Sequence, residues 1–408
     1  PYGIEEVVPQ SGPTLAVFGM IFMALFWGLP NILQTAEIAS ALPLQGGAYR
    51  WYKESWGGFW GFQFGWLEWL SWMFEAALYP TLVAIYCVHF FWPEAGTFTT
   101  WCITLAVIWM SIVLNIRGIQ TVGKWSAILA WFQVIPVLWF IIIGVNHINL
   151  SFLGSLNIPA NSTTLDALTM ALIFGLWNFS GYAGLAAAAE EIEDTPTTYP
   201  KALLITLIVS MVMYVVPLII GISVDQNWSN WDEAQFNSVA LVLGGGAFAW
   251  WFMLAAQSSN FGLINSELIV LSRLIQAMAK DGFLPHILDK LHRKYETPVH
   301  SLVMQGILLS IMTFGMGFVD LLVVGTWLSI PTYLIGFAVF ISLRIQKPDM
   351  DRPFKIKGGW PVIIPIVAIP CFIALFIFIN TPKEYLLETI PLLLSGFAVY
   401  FIQKIFSK

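Results

Sequence analysis

Long apolar runs separated by short polar connections set the rhythm of this chain. The runs fall at about 14–42, 58–91, 97–116, 120–146, 165–191, 200–223, 247–279, 298–316, 319–345, 361–380 and 385–405. An α-helix crosses a bilayer core with ~20 apolar residues, so the pattern predicts an all-α polytopic membrane protein. The run at 165–191 differs from its neighbours. It is apolar to Trp177, then reads Asn178-Phe179-Ser180-Gly181-Tyr182, then an Ala-rich stretch, then Glu190, Glu191, Glu193 and Asp194. Asn, Ser and Gly are poor helix-interior residues, because they offer the backbone competing bonds or too much freedom. A span interrupted in its middle exposes backbone N–H and C=O groups at the membrane midplane, where transporters place their sites. The plainer alternative is a Gly-kinked span with no ligand, since Gly is common in membrane helices.

Residues 1–9, PYGIEEVVP, are too short to span. They read as the second half of another broken helix, whose first half precedes Pro1; a chain lacking that half is expected to be inactive. Segment 224–246 is the longest connection and is expected to hold a short helix. The broken helices at 1–9 and 165–191 each open a run of five spans, and the second run starts on the opposite side of the membrane. Five plus five with opposite topology is an inverted repeat with its site at the breaks. The single transporter domain, 1–408, then divides into a first repeat at 1–147, truncated at its start, a second at 164–345, and two peripheral helices at 361–405.

Charge sharpens the picture. The chain is 58% hydrophobic and 10% charged, against roughly 25% charged for soluble domains. On the span map every Lys and Arg except Lys383 falls on one side. By the positive-inside rule that side is the cytoplasm, and both ends of the chain lie there. The net charge of −6 adds little. Cys87, Cys102 and Cys371 lie in apolar runs without metal-ligand spacing, which suits helix packing. No HExxH, Walker loop or GxGxxG stands in a context for enzyme chemistry. The reading therefore carries no metal, no cofactor and no nucleic-acid partner. The five histidines sit near span edges or in loops, and none makes a proton relay.

Several motifs together resemble a known family. Pro43-Leu44-Gln45-Gly46-Gly47-Ala48-Tyr49-Arg50-Trp51, with Gly61-Phe62 and Gly65-Trp66, is similar to the loop after the second helix of amino acid–polyamine–organocation transporters. Glu190-Glu191-Ile192-Glu193-Asp194 with Pro200-Lys201-Ala202 resembles their EEVKNP…IPRA signature. Ser272-Arg273-Leu274, Met278-Ala279-Lys280-Asp281-Gly282-Phe283-Leu284-Pro285 and Thr297-Pro298 resemble SRLLFAMARDGxLP…TP. Arg352-Pro353-Phe354-Lys355-Ile356 resembles RPFKIP. These motifs span nearly the whole chain in order. A narrower likeness, to the polyamine–proton symporter branch, rests on Pro1-Tyr2-Gly3-Ile4-Glu5-Glu6, on Ala77-Leu78-Tyr79-Pro80 and on Gly262-Leu263-Ile264-Asn265-Ser266-Glu267.

The resemblance implies a LeuT-like fold and a secondary transporter in a cell membrane. It would carry an amino acid or polyamine by alternating access with proton symport. An amino acid exchanger on the same fold and a nutrient receptor that does not transport are the alternatives. It also implies site residues. Gly3 and Ile4 would receive a substrate carboxylate, and Trp177, Asn178, Phe179, Ser180, Gly181 and Tyr182 the amine, with Phe179 and Tyr182 closing over the ligand or simply packing. Glu75 sits where the branch has an acid just before ALYP and would bind a distal amine. Glu267 matches another branch acid and is the first proton-coupling candidate. Some members of the superfamily place a lysine in the fifth span, where its ammonium replaces a sodium ion. Gln133 aligns there and cannot carry that proton.

Intramembrane carboxylates are costly and normally face a cavity or a partner. Glu68 departs from the family pattern, and shares a helix face with Ser71, Trp72, Glu75 and Tyr79. It is the second proton-coupling candidate, expected beside a partner or water. Glu5 and Glu6 are placed near the outer vestibule, with Glu5 attracting cations or solvated. Glu37 is expected to pair with Arg50 or Lys53. The acids around Glu191 are expected to gate the cytoplasmic side with Lys201 or Arg273, or to form a solvated face.

Overall fold

The computed structural model describes residues 2–42, 47–118, 122–182, 195–232, 234–381 and 384–406. Among them the chain is helical, without strands. A short helix α1 (Val7–Ser11) follows the N-terminal turns and Gly12 leads into α2 (Pro13–Ala41), which contains a π-helical turn at Ala24–Gly28. Then come α3 (Gly47–Phe91), α4 (Thr97–Arg117), α5 (Val122–Gly144), α6 (Thr164–Asn178), α7 (Thr195–Val224) and α8 (Gln235–Lys280). The remaining helices are α9 (Val299–Met312), α10 (Phe318–Gln346), α11 (Trp360–Asn380) and α12 (Glu384–Phe406). Among the described residues, eight helical segments are long and apolar enough to span a membrane. The order and number of elements follow the apolar pattern closely.

Two connections hold more helix than the pattern suggested. α3 is a leading helix from Gly47 joined to the long one across Gly57, whose φ is 83°. α8 is likewise broken at Gly245, with φ 76°, so the expected short helix in 224–246 starts at Gln235. The apolar runs began just past both glycines because the leading helices carry polar residues such as Arg50, Lys53, Glu54 and Asn237.

α3 is the central strut, packed most extensively on α10 and α8. α2 crosses α6, and α5 lies along α8. In lipid, apolar surface gives little drive for one helix to meet another, so small residues that admit close backbone approach do that work. At the α2–α6 crossing a Cβ on Gly19 would stand 2.9 Å from the Ala171 Cβ, and one on Gly175 would stand 2.6 Å from Met23 Cγ. α11 packs on α6 and α10, and α12 on α3 and α10.

Ion pairs tie one end of the bundle. Asp281, just past α8, accepts from Tyr49 Oη at 2.5 Å and from Lys53 Nζ at 2.8 Å, with Arg50 at 3.4 Å. Burial alone would raise the Asp281 carboxyl; the Lys53 ammonium, the Tyr49 hydroxyl and Arg50 together hold it below the usual carboxylate range. Glu37 therefore does not have the partners expected of it. Its carboxylate, 2% exposed, takes both Arg344 and Arg352 and accepts from the Ile356 backbone N–H at 2.8 Å. It pins α10 and the segment after it to α2, while Arg50 and Lys53 fasten α3 to α8.

Candidate functional site

The break in α6 has local causes. Asn178 Nδ2 turns back to the Phe174 carbonyl at 2.8 Å, a bond that competes with the helix ladder. Phe179 closes the last turn with its N–H on the Gly175 carbonyl at 3.0 Å. Gly181 then takes φ +85°, with no described residue within 4 Å of the place a Cβ would occupy. It is the left-handed backbone that favours glycine there. The Ala-rich stretch and the acids from Glu190 to Asp194, Glu191 included, lie outside the described residues. Arg273 is exposed near the end of α8.

A second irregularity faces the first. The π-turn of α2 presents Trp27, fully buried, with its indole N–H donating to Ser180 Oγ at 3.0 Å. Asn31 Nδ2 donates to the Trp27 carbonyl at 2.9 Å. The Trp27 ring meets Tyr333 of α10 edge-on, centroids 4.9 Å apart, and the Tyr333 hydroxyl lies against Ser180 and the Gly181 backbone. π-turns recur at functional sites because they re-aim side chains out of the helical register.

Two cavities flank this cluster. One is lined by Ser71, Trp72, Glu75, Trp177, Ser180 and Tyr333, among others. The other is lined by Gln34, Glu68, Trp72, Gly181, Tyr182 and Tyr333, among others. Trp72 and Tyr333 are the residues common to both. The order is the same on three elements. Glu75, Ser180 and Ser329 belong to the first cavity; Glu68, Gly181 and Thr332 to the second, nearer the end that carries Asp281. The cavities are therefore stacked along the bundle axis at the α6 break.

Inside them the acids are held differently. Glu75 Oε1 accepts from Tyr79 Oη at 3.2 Å. Glu267 of α8 is half-buried, outside both linings, yet close enough that the Glu75 charge acts on it and its own acts on Tyr79. Glu68 is 6% exposed and makes no side-chain hydrogen bond or ion pair among the described residues. Of the partner or water expected beside it, no protein partner is found among the described residues; it lines the cavity.

Other expected site residues lie elsewhere. Phe179 is fully buried against Gly28 and Tyr214, a packing residue that lines neither cavity. Asn178 lines neither cavity, its amide spent on its own helix. Ile4 is 1% exposed in the core. The Gly3 N–H, at φ +89°, is taken by Glu5 Oε2 at 2.9 Å, and Tyr86 Oη donates to Glu5 Oε1 at 2.7 Å. Glu5 is thus not a solvated vestibule acid: it is fully buried and occupies the amide expected to receive a substrate carboxylate. Glu6 is also buried and accepts from Gln10 at 2.8 Å. Gln133 accepts from Tyr2 Oη through its backbone carbonyl at 3.0 Å, and its side-chain amide nitrogen faces Gly262 of α8.

Sequence reasoning missed Trp27, Gln34, Tyr52 and Tyr333. For Tyr333 a signal existed: Thr326, Ser329, Thr332 and Tyr333 form a polar line along one face of an otherwise apolar span. Trp27 sits in an apolar run, and nothing in the pattern announces a π-turn. Among the described residues, no three His, Cys, Asp or Glu gather in a way that would hold a metal ion.

A helical membrane bundle with a broken helix at its centre and acids facing narrow cavities at the break is the architecture of a transporter. The family model for amino acid permeases matches residues 4–400, and the chain belongs to that family of membrane transporters. It is 31% identical to a polyamine transporter of Oryza sativa subsp. japonica, over 94% of this chain and 71% of that protein. It is 29% identical to a polyamine transporter of Arabidopsis thaliana, over 88% of this chain and 72% of the other. It is also 26% identical to a large neutral amino acids transporter small subunit of Homo sapiens, over 98% of this chain and 76% of that protein.

Proposed function

We propose that this protein carries a cationic amine, a polyamine or a basic amino acid, across a cell membrane by alternating access and proton symport. The observation that carries the reading is Glu75, a carboxylate lining a cavity at the α6 break with a single tyrosine hydroxyl as its hydrogen-bond partner among the described residues. An acid inside the membrane without a cationic neighbour among the described residues is costly, and an ammonium group supplies the missing charge. Trp72, Trp177 and Tyr333 offer aromatic faces to the same cation, and cations bind such faces favourably. The Ser180–Gly181 backbone, freed from the helix, offers carbonyls to the ammonium.

Glu267 is the proton carrier in this reading, because it lies on α8 within electrostatic reach of Glu75, while Gln133 in the fifth span cannot titrate. The polyamine transporters of two plants among its relatives favour a polyamine over an amino acid. The Glu5 carboxylate on the Gly3 amide points the same way, since it leaves that amide no room for a substrate carboxylate. The ends of the chain, with the basic residues, lie in the cytoplasm.

Uptake of labelled putrescine and labelled arginine into proteoliposomes of the full-length protein tests this. An inward proton gradient is expected to drive uptake of an amine into empty vesicles. Uptake only into vesicles preloaded with amino acid, with no response to the gradient, would make the protein an exchanger.

A further inference from the structure

The geometry points to a second ammonium subsite at Glu68, so that Glu68 and Glu75 together grip the two ends of a linear polyamine. This rests on the proposed amine transport and names the substrate's length.

Glu68 is a built site rather than a stray charge. It is 6% exposed, has no protein partner among the described residues, and lines a cavity with Asn31, Gln34, Tyr52, Trp72 and Tyr333. Those neighbours bring amide and hydroxyl dipoles and aromatic faces, but no basic side chain. A carboxylate so placed selects a cation that donates hydrogen bonds, as a primary or secondary ammonium does.

The two acids are seven positions apart on one continuous stretch of α3. Seven residues advance an α-helix by about 10.5 Å, and two turns bring the side chains back to nearly one face. Trp72 lies between them in sequence, and it and Tyr333 line both cavities, so a ligand reaching both acids passes these two rings. A polymethylene chain that passes them, once either ring swings aside, keeps its methylenes on aromatic faces while its ends reach opposite acids.

That distance is a ruler. An extended saturated chain advances ~1.25 Å per bond, so the five bonds of putrescine separate its nitrogens by only about 6 Å. The nine bonds of 1,8-diaminooctane, or of spermidine between its terminal nitrogens, give about 11 Å. A diamine of the shorter length engages one acid at a time; a chain of the longer length engages both.

The test is competition against labelled putrescine uptake by the full-length protein in proteoliposomes. Linear α,ω-diamines from 1,4-diaminobutane to 1,10-diaminodecane are compared with spermidine and with n-octylamine, which has the apolar length but one charge. Wild type is expected to bind 1,8-diaminooctane and spermidine about tenfold more tightly than putrescine, because the second end binds at high effective concentration; n-octylamine should gain nothing. In Glu68→Gln the ratio between long and short diamines should fall toward one. Glu68→Asp, with the carboxylate drawn back, should move the preferred length upward. A wild-type series with no length preference, an equal gain for n-octylamine, or a Glu68→Gln ratio like wild type would overturn the subsite and leave amine transport standing. If no amine competes and none is taken up, the transport reading fails and the subsite with it.

Discussion

The indole N–H of Trp27 donates to Ser180 Oγ across 3.0 Å, joining the π-turn of α2 to the break of α6. Two helices that each abandon regular geometry do so at the same place, and one hydrogen bond holds them in register. Trp27→Phe keeps the aromatic contact with Tyr333 but removes the donor. It should lower stability by about 1 kcal/mol, the usual worth of such a bond, and reduce uptake several-fold without loss of helix content. Thermal unfolding and uptake of the purified variant check both.

Gly181 is required for its backbone. Its φ is +85°, and no described residue stands within 4 Å of the place of its Cβ. Gly181→Ala should therefore cost roughly 1–2 kcal/mol through the left-handed conformation alone. The strain is relieved if the break rewinds toward helix, so uptake should fall more than stability does. Equal uptake in the variant would show that the break tolerates a side chain.

The Glu37 cluster is expected to dominate stability at the basic end. Glu37→Gln leaves Arg344 and Arg352, with side chains 9% and 5% exposed, buried without a counter-charge. Breaking one partner of such a group costs about 3–5 kcal/mol. A large drop in thermal stability is predicted, far beyond that of Arg50→Gln, whose side chain is 33% exposed at Asp281.

Asp281 gives a pH dependence with a defined sign. Its carboxyl is held below the usual range by Lys53, Tyr49 and Arg50 against the opposing effect of burial. Its contribution is fully present above the ordinary aspartate value of about 3.9 and is lost as pH falls through the lowered folded value. Thermal unfolding followed from about pH 6 to about pH 3 should lose stability in wild type, and Asp281→Asn should remove this part of the slope.

The helical architecture was legible because each span announces itself over many residues, and the α6 break because Asn178, Ser180 and Gly181 interrupt an apolar run. Glu75 and Glu68 were legible as costly charges in apolar surroundings. What the pattern did not carry was partnership across the bundle. Glu37 stands near Arg50 and Lys53 along the chain but meets Arg344 and Arg352 in space. By sequence Glu5 falls near the outer vestibule, attracting cations or solvated, yet it is buried and accepts from Tyr86, far along the chain. Phe179, in the break, could be read as a lid or as packing, and its burial against Tyr214 is a matter of rotamer and packing.

The central claim is that Glu75 binds the ammonium group of the substrate. Uptake of labelled putrescine into proteoliposomes under an inward proton gradient, for wild type and Glu75→Gln at equal protein content, tests it most directly. The account predicts robust uptake by wild type and near-complete loss in Glu75→Gln, which keeps the shape of the side chain and removes its charge. Wild-type uptake by Glu75→Gln would contradict the account and remove Glu75 from the binding site.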